Sequence, residues 1–106
     1  MPINSGAKGV RNELRCQREL ESQGFVESDI VRVKRGKKGL KQDFFGLFDV
    51  LALTPDHGRM LLIQVKSNRC DGATRARIQE FVIPNGCEKW IWIWRDNKGW
   101  DTELYL

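Results

Sequence analysis

The 106-residue chain is poor in the residues that impose covalent or chain-breaking constraints: three cysteines, three prolines, one histidine and one tyrosine. Three scattered cysteines, Cys16, Cys70 and Cys87, are an odd number without paired metal-ligand spacing, which excludes a disulfide framework and a zinc ribbon. They read as buried or incidental thiols. No apolar run approaches the ~18 residues that cross a bilayer, and Met1 to Gly9 holds no apolar signal core, so a soluble, cytoplasmic protein with no membrane partner is expected. A single histidine, His57, sits in turn chemistry and has no visible partner for metal or triad work. There is no internal repeat, linker or low-complexity stretch, so residues 1–106 are expected to form one domain.

What is present is a globular composition, 41% hydrophobic and 30% charged, in a chain long enough to bury roughly 65% of its unfolded surface. The formal charge is +4 and its distribution is uneven. Arg32, Lys34, Arg35, Lys37, Lys38 and Lys41 fall between Val31 and Gln42 without an acid among them. Such a run is either a solvated loop or a contact for a polyanion such as nucleic acid.

The patterning predicts a helix over Lys8 to Gln23, stopped by Gly24, after which Phe25 returns to the core. Asp29 to Lys34 alternates as a strand with Val31 and Val33 on one side. Phe44 to Leu53 and Met60 to Val65 are apolar runs joined by the turn residues Pro55 to Arg59, the mark of a strand hairpin. Asp71 is placed to cap a helix reaching Ile83 and ended by Pro84, with Ile78, Phe81 and Val82 inward. Trp90, Trp92 and Trp94 alternate with Ile91 and Ile93 in a strand buried on both faces, read as sheet core or a dimer face. A turn at Asp96 to Gly99 leads to a last strand, Trp100 to Leu106. The expected class is α/β, a mixed sheet flanked by helices in the order α-β-β-β-α-β-β.

Charges at the ends of apolar runs carry the chemical signal. Asp49 interrupts Phe48 to Leu53, where an unpaired carboxylate is costly, and Lys66 closes Leu62 to Ser67. Alternation puts Gln64 and Lys66 on one side of their strand, and the hairpin brings that strand beside Asp49. A carboxylate, an amide oxygen and an ammonium in one cleft suit phosphodiester hydrolysis with Mg²⁺: hard oxygens hold the ion, the ion acidifies a water, and the lysine orients that water or steadies charge on the phosphate. The same residues also suit a simple ion pair at a strand end.

Asp49 followed by Gln64-Val65-Lys66 resembles the PD-(D/E)XK nuclease superfamily, within which the chain is most similar to archaeal Holliday-junction resolvases and related phage nucleases. Gly9, Glu13, Leu20, Gly24 and Phe25 match the glycine, the helix glutamate and the Leu-x-x-x-Gly-Phe helix ending of those enzymes. The likeness runs from about Gly9 to Trp94 and implies a restriction-endonuclease-like core and a metal-dependent DNA endonuclease. It implies metal ligation by Asp49 with Glu13 and Gln64, a catalytic role for Lys66, Mg²⁺ (or Mn²⁺) as cofactor, branched DNA as substrate and a homodimer. Gln64 departs from the pattern, which has Glu or Asp there; an amide offers an oxygen but no charge, and Glu80 or Asp43 is then the candidate for an extra acid. Lys8, Arg11, Arg15, Lys34, Arg35, Lys37, Lys38, Lys41 and Arg69 are the candidate DNA contacts, with Arg75 and Arg77 adding positive charge nearby. Two rival readings stay open: a DNA-binding module whose metal site has decayed at Gln64, and an interaction subunit that assembles through the tryptophan strand.

Overall fold

A computed structural model describes residues 5–34 and 43–106, with side chains from residue 8 onward. The basic residues Arg35, Lys37, Lys38 and Lys41 lie outside the described residues. The element order is α1 (Ser5–Ser22), a 3-10 turn (Glu27–Asp29), β1 (Ile30–Arg32), β2 (Val50–Leu53), β3 (Met60–Ser67), α2 (Gly72–Glu80), β4 (Cys87–Arg95) and β5 (Gly99–Tyr105). The expected α/β class and the helix-strand alternation are both present. The five strands lie in sequence order, antiparallel except for the β3–β4 pair, which is parallel and bridged by α2. No helix among the described residues is long and apolar enough to cross a membrane.

α1 ends where the sequence says it should. Gly24 takes φ 101°, the Phe25 amide donates to the Leu20 carbonyl (3.0 Å) and the Gly24 amide to that of Glu21 (3.0 Å), the paired bonds of a Schellman ending. Phe25 then packs against the cluster containing Leu20, so the turn also closes the core beneath the helix.

The sheet separates two cores. Under α1, Cys16 and Leu20 meet Ile30, Val50, Ala52, Leu61, Ile63, Val65 and Trp92. Under α2, Ile78 meets Leu47, Phe48, Leu62, Ile91 and Ile93. β3 feeds both, its odd residues to the first core and Leu62 to the second, so a one-residue slip would expose both sets at once. Ile63, Ile91 and Ile93 have no exposed surface, each contributing roughly 2 kcal/mol of burial.

Three local expectations are corrected. Phe44 to Phe48 is not strand: Phe45 and Gly46 both take positive φ (56° and 68°), the Leu47 amide donates to the Phe44 carbonyl, and a single bridge joins Phe44 to Phe48, so β2 starts only at Val50. β1 buries Ile30, not Val31, which is 48% exposed because it lies on the face opposite α1. α2 stops at Glu80, leaving Val82 89% exposed; Ile78 carries the packing, with Phe81 half-buried.

The physical reason for that early stop lies in β4. Lys89, 4% exposed, donates from Nζ to the carbonyls of Ile78 (2.8 Å), Gln79 (3.1 Å) and Phe81 (2.9 Å), so all three ammonium protons cap the C-terminus of α2. At the other side of α2, Arg75 grips Glu103 of β5 through Nε (3.1 Å) and Nη2 (2.8 Å), and the Tyr105 hydroxyl donates to the same carboxylate (2.6 Å). Arg75 is thus committed to the fold, and Arg77 donates to the Gly46 carbonyl (2.8 Å). His57 does find a partner: its Nε2 lies 2.7 Å from Asp29 Oδ2, tying the β2–β3 turn to the 3-10 turn before β1.

Candidate active site

β2 falls short of the end of β3, beside the residues that the sequence singles out. β2 begins opposite Ile63, while β3 runs on through Gln64, Val65, Lys66 and Ser67, which pair only with β4 among the described residues. Asp49 stands at the edge of that opening. Its amide donates to the Ile63 carbonyl (2.8 Å), and its carboxylate Oδ2 accepts the Val65 amide (2.8 Å), replacing the ladder bond that β2 would otherwise have supplied. A side chain has taken over a backbone role, which explains how a carboxylate with no exposed surface is held in an apolar strand end.

Gln64 and Lys66 flank that bonded amide. They share the β3 face of Leu62, with Gln64 buried and Lys66 half-buried. The Lys66 ammonium lies within electrostatic reach of Cys70 and Asp71 at the start of α2, helping to lower the Asp71 carboxyl, whose largest influence is the Thr74 hydroxyl. The Gln64 amide nitrogen points toward the Val65 carbonyl (3.4 Å), directing its oxygen the other way.

Glu13 arrives from the opposite layer. It is 3% exposed on α1, beside Asn12, whose Nδ2 donates to the Ser67 hydroxyl at the end of β3. Asp49 and Glu13 are read together by Cys16: burial pushes this thiol well up, and the carboxylates of Asp49 and Glu13, in that order, push it further. Both acids thus act on the same buried thiol under α1, while Gln64 and Lys66 belong by alternation to the α2 side of β3.

The two candidates for an extra acid are separated by the fold. Glu80 closes α2 beside the carbonyls gripped by Lys89, which pairs with Leu62, four residues and roughly 13 Å along β3 from Lys66. It does not reach that end of β3. Asp43 does come back: the Phe44–Phe48 bridge sets it opposite Asp49 by register.

The residue types, two carboxylates and an amide oxygen, are those that hard cations take. Mg²⁺ is commonly held by one or two carboxylates, the remainder of its shell being water and substrate phosphate. Asp49, Glu13 and the Gln64 oxygen are the residues that would supply it, and no three His, Cys, Asp or Glu side chains gather as a metal group among the described residues.

Of the candidate DNA contacts, Arg11, Arg15, Lys34 and Arg69 are exposed, and Lys8 pairs with Asp96 (3.5 Å). Sequence reasoning passed over Arg18, Asn12 and Trp100. Arg18 follows Arg11 and Arg15 at helical spacing, a signal available in the sequence; the Asn12–Ser67 contact needed the packing of α1 on β3. Comparison of the chain with protein-family models, curated proteins and solved structures gave no match in any of the three.

Proposed function

We propose that the chain is a metal-dependent DNA endonuclease of the PD-(D/E)XK kind, hydrolysing phosphodiester bonds of branched DNA as a homodimer in the cytoplasm. The observation that carries this reading is Asp49: a buried carboxylate anchored on the Val65 amide, one residue from Lys66 and within electrostatic range of the same thiol as Glu13. Asp49, Glu13 and the Gln64 oxygen would hold Mg²⁺ or Mn²⁺. Bound there, the cation supplies an acidified water and a counter-charge to the phosphate. Lys66 donates protons toward the attacking water or the phosphate oxygen, where negative charge builds up. Asp49 is fixed by its backbone contact, so its carboxylate needs little reorganisation when charge develops. Gln64 spares the buried pair a third negative charge, at the expense of metal affinity.

Incubation with labelled linear, flapped and four-way DNA in Mg²⁺, Mn²⁺ or EDTA tests the reading. Metal-dependent cutting that disappears in both Asp49→Ala and Lys66→Ala is the expected result. Gln64 favours one alternative, a DNA-binding module on the same scaffold, for which salt-sensitive binding without cutting in any metal is the signature.

A further inference from the structure

Between α1 and the β4–β5 hairpin lies an open groove of about 610 Å³ that the hydrolytic chemistry does not use. Arg11, Arg15 and Arg18 line one side, Trp94 and Trp100 the other. Spacings of four and three place the arginines on one helix face, spanning roughly 10 Å. Three guanidiniums face one acid in the lining, Glu19, which accepts from the Ser22 hydroxyl (3.1 Å) and the Gln23 amide (3.1 Å), so the lining carries a net positive charge.

Its aromatic side is built with equal care. Trp100 stands edge-to-face to both Trp92 (5.3 Å between ring centres) and Trp94 (5.2 Å), and the Arg15 guanidinium lies 4.6 Å above the Trp94 ring. Arg15 Nη1 also donates to Asn12 Oδ1 (2.7 Å), so the guanidinium is held from two directions. Asn12 in turn donates to Ser67, which pairs with Trp94 across β3 and β4. A continuous line of contacts, Trp94 to Arg15 to Asn12 to Ser67, therefore ends next to Lys66.

We infer that this groove binds unpaired nucleotides of a DNA strand, their bases stacked on Trp100 and on the open face of the Arg15 guanidinium, whose other face rests on Trp94, and their phosphates on Arg11 and Arg18. Charge alone fits any polyanion; the indoles decide between them. Bases in a duplex hide their faces, whereas a single strand presents them to aromatic and guanidinium platforms. An acidic peptide would satisfy the arginines and make no use of the rings. The inference rests on the nuclease reading for its consequence: a groove at the end of β3 selects DNA with a single-stranded arm adjoining the bond to be cut.

The test separates the two claims. Binding of a fluorescein-labelled oligothymidine of about 12 nucleotides, a length within the usual single-strand site range, and of a blunt duplex is followed by anisotropy in EDTA across a salt series. Tighter binding of the single strand is expected. Arg15→Ala should weaken it about tenfold, and Arg11→Gln with Arg18→Gln should flatten the salt dependence by about 0.7 of a log unit per arginine. Arg15→Lys keeps the charge and removes the plane; loss of affinity with the salt slope retained identifies stacking. Equal affinity for duplex and single strand, or variants that bind like the parent, overturns the proposal. So does binding of fluorescein-labelled polyglutamate where oligothymidine does not bind. Cutting of blunt and flapped duplexes in Mg²⁺ then reads the nuclease claim separately: single-strand preference without cutting sinks the enzyme and leaves the groove, and cutting without preference does the reverse.

Discussion

The two ends of α2 each face a lysine, and the two lysines live under opposite conditions. Lys89 sits at the C-terminus, where the helix dipole favours a cation, and all three of its protons are taken by carbonyls. Lys66 stands near the N-terminal end, beside Cys70 and Asp71, where the dipole opposes a positive charge, and it keeps part of its surface in solvent. One ammonium completes a fold element; the other keeps part of its surface in solvent, with the Asp71 carboxylate as a nearby counter-charge. A charge whose every donor is consumed by backbone has no capacity left for a ligand, whereas one with donors in solvent retains it.

Breaking the comparison at its functional side should give the largest effect. Lys66→Ala is expected to lower metal-dependent cutting by about 10²–10³-fold, the loss typical of a donor aimed at developing charge, while thermal unfolding stays near the parent; an equal loss of Tm would make Lys66 structural. Lys89→Met should do the opposite. Three helix-end carbonyls lose their donors, costing about 2–3 kcal/mol, seen as a Tm lower by roughly 10–20 °C, with cutting per folded molecule retained. Gln64→Glu sharpens the contrast between the acids: half-maximal activity should come at several-fold lower Mg²⁺, and the metal-free protein should melt earlier because a third carboxylate joins the buried pair. The smallest effect belongs to the Arg75–Glu103 clamp. The Arg75 guanidinium holds the Glu103 carboxyl below its ordinary 4.5, so its stabilisation is present above that pH and lost as pH falls through the lower folded value. Tm measured from pH 6 down to 3 should therefore drop, and Glu103→Gln should flatten part of that drop.

Much of the architecture was legible because local signals agreed with it. Gly24 after a periodic helix, the Pro55 to Arg59 turn and the Trp-Ile alternation each named an element that is present. The errors share a cause: tertiary pairing overrode a local pattern. Phe44 to Phe48 is as apolar as a strand, yet nothing in its composition announces that a phenylalanine will take positive φ at position 45. Val82 reads as the inward face of a longer helix, and only Lys89, nine residues beyond the end of α2 yet bonded to its last carbonyls, shows why α2 stops. At the candidate site, the Asp49, Gln64 and Lys66 spacing was readable, but the shortfall of β2 against β3 was not. It depends on β2 starting opposite Ile63, a matter of register that no single strand reveals.

The parallel joint between β3 and β4 has a consequence for the order in which these parts come together. Asp49, Gln64 and Lys66 belong to one hairpin, and β4 with β5 form another, both closed by short turns and rapid to assemble. Joining the hairpins side by side requires the long crossover through α2, and Glu13 comes from a segment separated from Asp49 by more than a third of the chain. Glu13 and Asp49 therefore share a core only when α1 docks on the sheet, a joining that carries a loop-closure cost the two strand hairpins do not bear.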